Sequence, residues 1–189
     1  MKYNIASIEE KVRIKFAGKN RLNHILGVRK MALKLAGDFN LDKEKVEVAA
    51  LLHDYTKYEP LERQIELIND QYIVERFKDA KEIYHAYSAA NLIQEEFDIH
   101  DETIINMIRY HVYGRIDMNI YEKILVLSDY IEETRTYPRC VECRQLLEEK
   151  GFDYALYFCI KSMMDYLISV GIKPMEEQYL ILEQLERLI

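Results

Sequence analysis

The chain has 189 residues, with 26 Lys and Arg against 33 Asp and Glu, for a formal net charge of −7 with its five histidines neutral. That balance excludes a protein that grips nucleic acid through a broad basic surface, and the longest apolar run, residues 154–160, is far short of the roughly 20 residues a membrane-spanning helix needs. Six Gly and three Pro in a chain rich in aliphatic residues exclude a turn-rich β architecture and predict an all-α fold, with length enough for one domain spanning residues 1–189.

Taken in chain order, Ser7-Ile8-Glu9-Glu10 has the form of a capping box, and Ile8, Val12 and Phe16 repeat at helical spacing, so a first helix is expected from Ser7 to about Ala17. Asn20 is the expected cap of a second helix with an apolar face of Ile25, Val28, Ala32 and Leu35, on which Arg21 and His24 share a side. Asp42 caps a third, which ends in His53-Asp54. Pro60 opens a short helix through Ile68, and Asp79 starts one that carries His85 toward Phe97. Asp101 caps a helix ending near His111 and Gly114, and residues 119–134 form another with Asp129 at its middle. Pro138 then breaks the chain, and two last helices, residues 153–170 and 174–188, are separated by Gly171 in a C-terminal capping position. No repeat, linker or low-complexity segment interrupts this series.

Cys140, Cys143 and Cys159 are an odd set with no secretory signal before them, which predicts a cytoplasmic protein. The Cys140-x-x-Cys143 pair has no second Cys or His pair at zinc-finger distance and no βαβ context, and reads as incidental to a helix start.

The chemistry is concentrated elsewhere. His53 and Asp54 are adjacent at the end of the apolar stretch Ala49-Ala50-Leu51-Leu52, where a packing helix has no use for either side chain. Imidazole and carboxylate together suit Fe, Mn, Co or Zn. His24 on one helix and Asp129 in the apolar run 124–131 complete a set of four candidate ligands; a carboxylate buried there without a counter-charge would cost several kcal/mol. Four protein ligands leave room for water on a six-coordinate ion, and such a water is a nucleophile near neutral pH. His85 and His111 fall on two further helices, whereas His100, in the acidic connection 98–101, reads as a solvated loop residue. A cation accompanies each part of this constellation: Arg21, Lys57, Arg115 and Arg135. Metal plus clamping cations is what phosphoryl chemistry uses, because its catalysis is positioning and charge neutralisation.

With these residues in view, the chain resembles the HD-domain metal-dependent phosphohydrolase superfamily, whose pattern is a His, then His-Asp, then a later Asp. Within it the similarity is greatest to the YqeK-type symmetrical bis(5′-nucleosyl)-tetraphosphatases, through Arg21-Leu22-Asn23-His24, His53-Asp54-Tyr55-Thr56-Lys57, His111-Val112-Tyr113-Gly114-Arg115 and the run from Asp129 to Arg135. The resemblance implies an HD-type helical bundle and hydrolysis of diadenosine tetraphosphate to two ADP. It implies iron, ahead of Mn, Co or Zn, on His24, His53, Asp54 and Asp129, and phosphate contacts from Arg21, Lys57, His85, His111 and Arg135, to which the position of Arg115 adds a further cation. Asp54 would orient the attacking water; His85 and His111 would protonate the leaving phosphate, hold its oxygens or help ligate a second ion, alternatives among which the residues do not choose. Two stretches depart from the family pattern: His85-Ala86-Tyr87-Ser88-Ala89 in place of a Gly-containing turn, and Pro174-Met175-Glu176-Glu177-Gln178 where a Thr and an Arg-Asn are expected. The rival readings are a nucleotide phosphatase acting on another (d)NMP or (d)NTP, and a metal- and nucleotide-binding regulator without turnover. The expected partner is a small nucleotide, with neither nucleic acid nor membrane, and a homodimer is left open.

Overall fold

A computed structural model describes residues 2–189, and among them every regular element is helical: α1 Ile5–Lys15, α2 Asn20–Asp38, α3 Lys43–Leu52, α4 Leu61–Ile68, α5 Gln71–Arg76, a 3-10 turn Lys81–Ile83 leading into α6 Tyr84–Glu96, then α7 Glu102–Tyr110, α8 Ile120–Ile131, α9 Pro138–Lys150, α10 Phe152–Ser169 and α11 Glu176–Glu186. The all-α expectation therefore holds. Short polar side chains start many of these helices by accepting the otherwise unpaired first N–H groups. Asp42 accepts from Glu44 and Lys45, Asp70 from Tyr72 and Ile73, Asp101 from Thr103, and Asn119 from Glu122.

Four local expectations need correction. The first helix is capped by Asn4, whose side chain accepts from Ser7 N, so Ser7 lies inside the helix. Lys19 occupies the cap position of α2 and Asn20 is already helical. Asp79 caps nothing: Ala80 precedes the 3-10 turn that feeds α6. Pro138 does not break the chain but opens α9 at its first position, where a missing N–H costs no hydrogen bond, and the short α5 was not anticipated.

One helix organises the molecule. The C-terminal part of α3 is apolar all round, with Val46 and Val48–Leu52 at 0 % exposure, and a segment of that character must be enclosed. It is enclosed by α1, α2, α7 and α8, while α6 packs on α7 and α4, and α10 joins α8, α9 and α11. Its C-terminus, and with it His53-Asp54, consequently emerges in the interior. A smaller apolar cluster of Ile68, Phe77, Ile83, Tyr84, Tyr113 and Leu167 lies beside the main core. The three cysteines are buried and free, and Cys143 Sγ donates to Ala155 O at 3.3 Å, which makes them packing residues of α9 and α10. No described helix is long and apolar enough to cross a membrane.

Candidate metal centre

Five helices deliver side chains to one buried spot: His24 from α2, His53 and Asp54 from the end of α3, His85 from α6, His111 from the end of α7 and Asp129 from α8. All but Asp129, which keeps a fifth of its side chain exposed, are under 9 % exposed. Three of the rings are aimed by the same local device. His53 Nδ1 donates to Ala50 O at 2.7 Å, His111 Nδ1 to Ile108 O at 2.7 Å, and His85 Nδ1 to Glu82 O, each to the carbonyl three residues back. For His53 and His111, which close α3 and α7, those carbonyls belong to the last turn, where no intrahelical N–H remains to bond them. A carbonyl can only accept, so Nδ1 carries the hydrogen and Nε2 presents a lone pair inward. His24 is oriented from outside its own helix, with Nδ1 3.1 Å from Glu132 Oε1.

The inward donors form a tight set. His24 Nε2 is 2.9 Å from Asp129 Oδ1 and 3.5 Å from Asp54 Oδ2; His53 Nε2 is 3.2 Å from Asp54 Oδ2 and 3.8 Å from Asp129 Oδ1. Donors bound about 2.1 Å from one ion at right angles lie about 3 Å apart, so these four fit a common centre with small adjustments. The other Asp54 oxygen, Oδ1, faces His85 Nε2 at 3.0 Å and His111 Nε2 at 3.9 Å, and those two nitrogens are 3.2 Å from each other. Both His24–His53–Asp129 and His53–Asp54–His111 have the spacing of a metal-binding group. The fit with a cation is decided by polarity. His24 Nε2 and His53 Nε2 are buried with no hydrogen-bond partner, and they confront carboxylate oxygens, which also only accept. Acceptors packed against acceptors are stabilised by a shared positive ion, and the residues present fit one.

The electrostatics agree. Burial pushes the Asp54 carboxyl up, but His53 and His85 outweigh it and hold the group well below the usual carboxylate range; at Asp129, Arg135 and His24 likewise overcome burial. Burial lowers the His24 pKa, yet Asp129 and Glu132 raise it overall, so the site draws a positive charge to the point where Nε2 meets Asp129. His111 goes the other way: burial, with His53 and His85 alongside, pushes it down to about 3, and burial also lowers His85. Both rings are neutral acceptors at neutral pH.

Three of the four expected cations surround this cluster. Arg21 donates to Asp54 Oδ2 at 2.8 Å and Arg135 to Asp129 Oδ1 at 2.9 Å. Lys57 Nζ lies 3.3 Å from His85 Nδ1, and burial lowers its pKa against the pull of Asp54. Arg115 is placed differently. Its guanidinium forks onto Glu122, Nε to Oε2 at 2.9 Å and NH2 to Oε1 at 2.8 Å, and stacks over Tyr110. Gly114, at φ +72°, makes the turn that sends it there. His100 pairs with Asp98 on the surface, as expected of a loop residue.

Sequence reasoning missed the supports. Thr56 Oγ1 donates to His85 O at 2.8 Å, tying the residue after His53-Asp54-Tyr55 to α6. Glu132 is fully buried on His24, and Arg144 of α9 holds the carbonyls of Ile131, Glu132 and Arg135. Glu132 follows Asp129 by three, on the same helical face, and that spacing was the available signal.

The description "HD domain" matches the chain over residues 21–134, a span that opens at Arg21 and includes every ligand-type side chain of the cluster. The chain belongs to the HD domain family. This HD protein is 37 % identical over 151 residues, 79 % of its length and 81 % of the relative's, to the symmetrical bis(5′-nucleosyl)-tetraphosphatase of Bacillus subtilis (strain 168). It is 35 % identical over 161 residues to the protein of the same name from Staphylococcus aureus (strain NCTC 8325 / PS 47), which covers 82 % of this chain and 80 % of that one. A crystal structure from Clostridium acetobutylicum, described as a predicted HD superfamily hydrolase involved in NAD metabolism, superposes with a TM-score of 0.88 over 99 % of each chain at 28 % identity. The HD-type helical bundle is thus the fold over essentially the whole length.

Proposed function

We propose that this HD protein hydrolyses diadenosine tetraphosphate symmetrically, adding one water to give two ADP, at a divalent metal centre formed by His24, His53, Asp54 and Asp129. The observation that carries the reading is the meeting of bare imidazole nitrogens and carboxylates in a largely buried cluster beside Arg21, Lys57 and Arg135; the substrate follows from the names of the two relatives. A mixed nitrogen and oxygen donor set suits iron, with Mn, Co and Zn as alternatives. When bound, such an ion supplies the Lewis acidity that makes water a nucleophile near neutral pH.

The protein side of the reaction is positioning and charge. Asp54 spans the two halves of the cluster, one oxygen toward His24 and His53 and the other toward His85 and His111, and so orients the attacking water relative to the phosphorus. Lys57 makes no ion pair among the described residues, which leaves its ammonium for a phosphate oxygen. Arg21 and Arg135 each hold a ligand carboxylate and add positive charge at the point where phosphate negative charge accumulates. His85 and His111, being neutral acceptors, would take up the proton that the attacking water gives up or help hold a second cation, and the leaving ADP would depart as an anion neutralised by the three cations. The free cysteines agree with a reducing cytoplasm.

The test is product analysis. Iron-replete protein kept under anaerobic conditions is incubated with diadenosine tetraphosphate, nucleoside mono- and triphosphates, and the nucleotides are separated. ADP as the sole nucleotide product, lost together with the metal in Asp129→Ala, is expected. Inorganic phosphate from a triphosphate or monophosphate with the tetraphosphate untouched selects the nucleotide phosphatase; binding of metal and ADP with no turnover selects the regulator.

A further inference from the structure

We infer that Glu132 is the positioning residue of His24 and that Gly27 is the clearance through which it reaches the ring, the two together setting the affinity of the centre for its cation. The inference rests on the reading of His24 as a ligand. Glu132 closes α8 three residues beyond Asp129, so one helix end supplies both a carboxylate that faces the cation and a carboxylate that faces the back of an imidazole. The Glu132 side chain is wholly buried, with no lysine or arginine paired to it among the described residues. Every bond it accepts is directed. His24 Nδ1 is 3.1 Å from Oε1, Thr134 Oγ1 donates to the same oxygen at 2.5 Å, and Thr134 N donates to Oε2 at 2.7 Å. A buried carboxylate held by one ring and one threonine is costly in isolation. Its return is that His24 is fixed with hydrogen on Nδ1 and a lone pair on Nε2, the form a metal ligand must have.

Gly27 makes this contact possible. It lies one turn after His24 on α2, and a Cβ there would overlap Glu132 Oε2 and stand 3.1 Å from its Cδ. The obstacle is not the free end of a flexible chain, because Thr134 and His24 fix the carboxylate from the other sides. Any side chain at position 27 therefore displaces the group that aims the ring. Glu132→Gln tests the charge with little change of shape: its carbonyl can accept from His24 or from Thr134 N, but its amide then opposes the remaining donor.

The experiment titrates Co2+ into metal-free protein, read by calorimetry and by the visible absorption of the bound ion, beside the melting temperature of the metal-free form. Glu132→Gln and Gly27→Ala are each expected to weaken Co2+ binding about 10- to 100-fold, the usual cost of losing a partner behind a ligating histidine. In a Glu132→Ala background, adding Gly27→Ala should cost no further affinity, because the carboxylate it obstructs is gone. A residue that only packs would lower the metal-free melting temperature and leave the Co2+ affinity within twofold of the parent; that result, or a Gly27→Ala effect that persists undiminished in the double variant, overturns the inference. Should Glu132→Gln not fold, Thr134→Val removes only one bond to the same carboxylate and is expected to weaken Co2+ binding in the same direction by less, with unchanged affinity overturning the idea. His24→Ala separates the two levels: Co2+ binding undiminished in that variant would refute the ligand reading itself, whereas its loss there with Glu132→Gln unaffected would refute only the role of Glu132.

Discussion

Arg115→Ala provides a sharp test of how the fold distributes its cations. Arg115 sits beside His111 in sequence, as Arg135 sits near Asp129, yet it is forked onto Glu122, a carboxylate with no exposed side-chain surface. Removing one partner of a fully buried pair costs about 3–5 kcal/mol because the other charge is left unpaired. Two features reduce that figure: Arg115 is 37 % exposed, so water reaches the vacated space, and Asn119 Nδ2 still donates to Glu122 Oε1 at 2.9 Å. The expected loss is about 2 kcal/mol, below the range for a sealed pair, which in a chain of this length lowers the melting temperature by about 4–8 °C. Differential scanning fluorimetry or calorimetry of Arg115→Ala, Glu122→Gln and the double variant measures it, and the two single losses should sum to more than the double because they break one interaction. The KM for diadenosine tetraphosphate should stay within about twofold in Arg115→Ala, since the guanidinium makes no contact with the metal cluster. A variant that melts with the parent but needs tenfold more substrate would refute this reasoning and put Arg115 on the phosphates.

Lys57→Ala should raise KM about tenfold while leaving Co2+ affinity near that of the parent, because in the proposed function its ammonium, which makes no ion pair among the described residues, takes a phosphate oxygen and ligates no metal; kinetics and titration read the two separately. Removing the metal with a chelator should lower the melting temperature, and restoring Co2+ to 100 times its dissociation constant should return about 2.7 kcal/mol of stability, visible as a shift of several degrees; no shift would mean the ion does not favour the folded state. Asp101 tests the pH dependence of a cap. Burial raises its carboxyl pKa, but the Lys45 ammonium at 2.9 Å and the Thr103 N–H outweigh that and lower it. A lowered carboxyl stabilises the fold above its unfolded pKa of about 3.9 and loses that stabilisation as pH falls through the folded value. Asp101→Asn keeps the cap and removes the charge, so urea midpoints should show it less stable by about 1 kcal/mol at pH 7, with the gap closing as pH drops from 5 toward 3; a gap independent of pH would contradict the assignment.

The parts of this molecule that were legible from sequence are those decided locally. Asp42 and Asp101 cap where expected because a short acceptor before a helical period has one use. His53-Asp54 was visible because an ionisable pair in an enclosed apolar helix contradicts its surroundings. Pro138 misled because the same residue that stops one helix opens another, and only the chain following it, which includes the buried Cys140 and Cys143, distinguishes the two. Arg115 and Arg135 were indistinguishable in sequence, each a cation shortly after a candidate site residue; the fold separates them by supplying Glu122 to one and Asp129 to the other. The pairing of Glu132 with His24 depends on how closely α8 approaches α2, and nothing within either helix states that distance.

Three imidazoles leaning on the carbonyl three places behind them amount to a division of labour between secondary and tertiary structure. Each ring takes its heading from its own backbone, so bending a connecting loop changes how far apart the donors stand without re-aiming any of them. Descendants of this scaffold can therefore retune which ion they prefer, or open room for a second one, by sliding helices a fraction of an ångström. His24 is the exception: it borrows its heading from a neighbouring helix, and it is the donor through which a shift of α8 would be felt first.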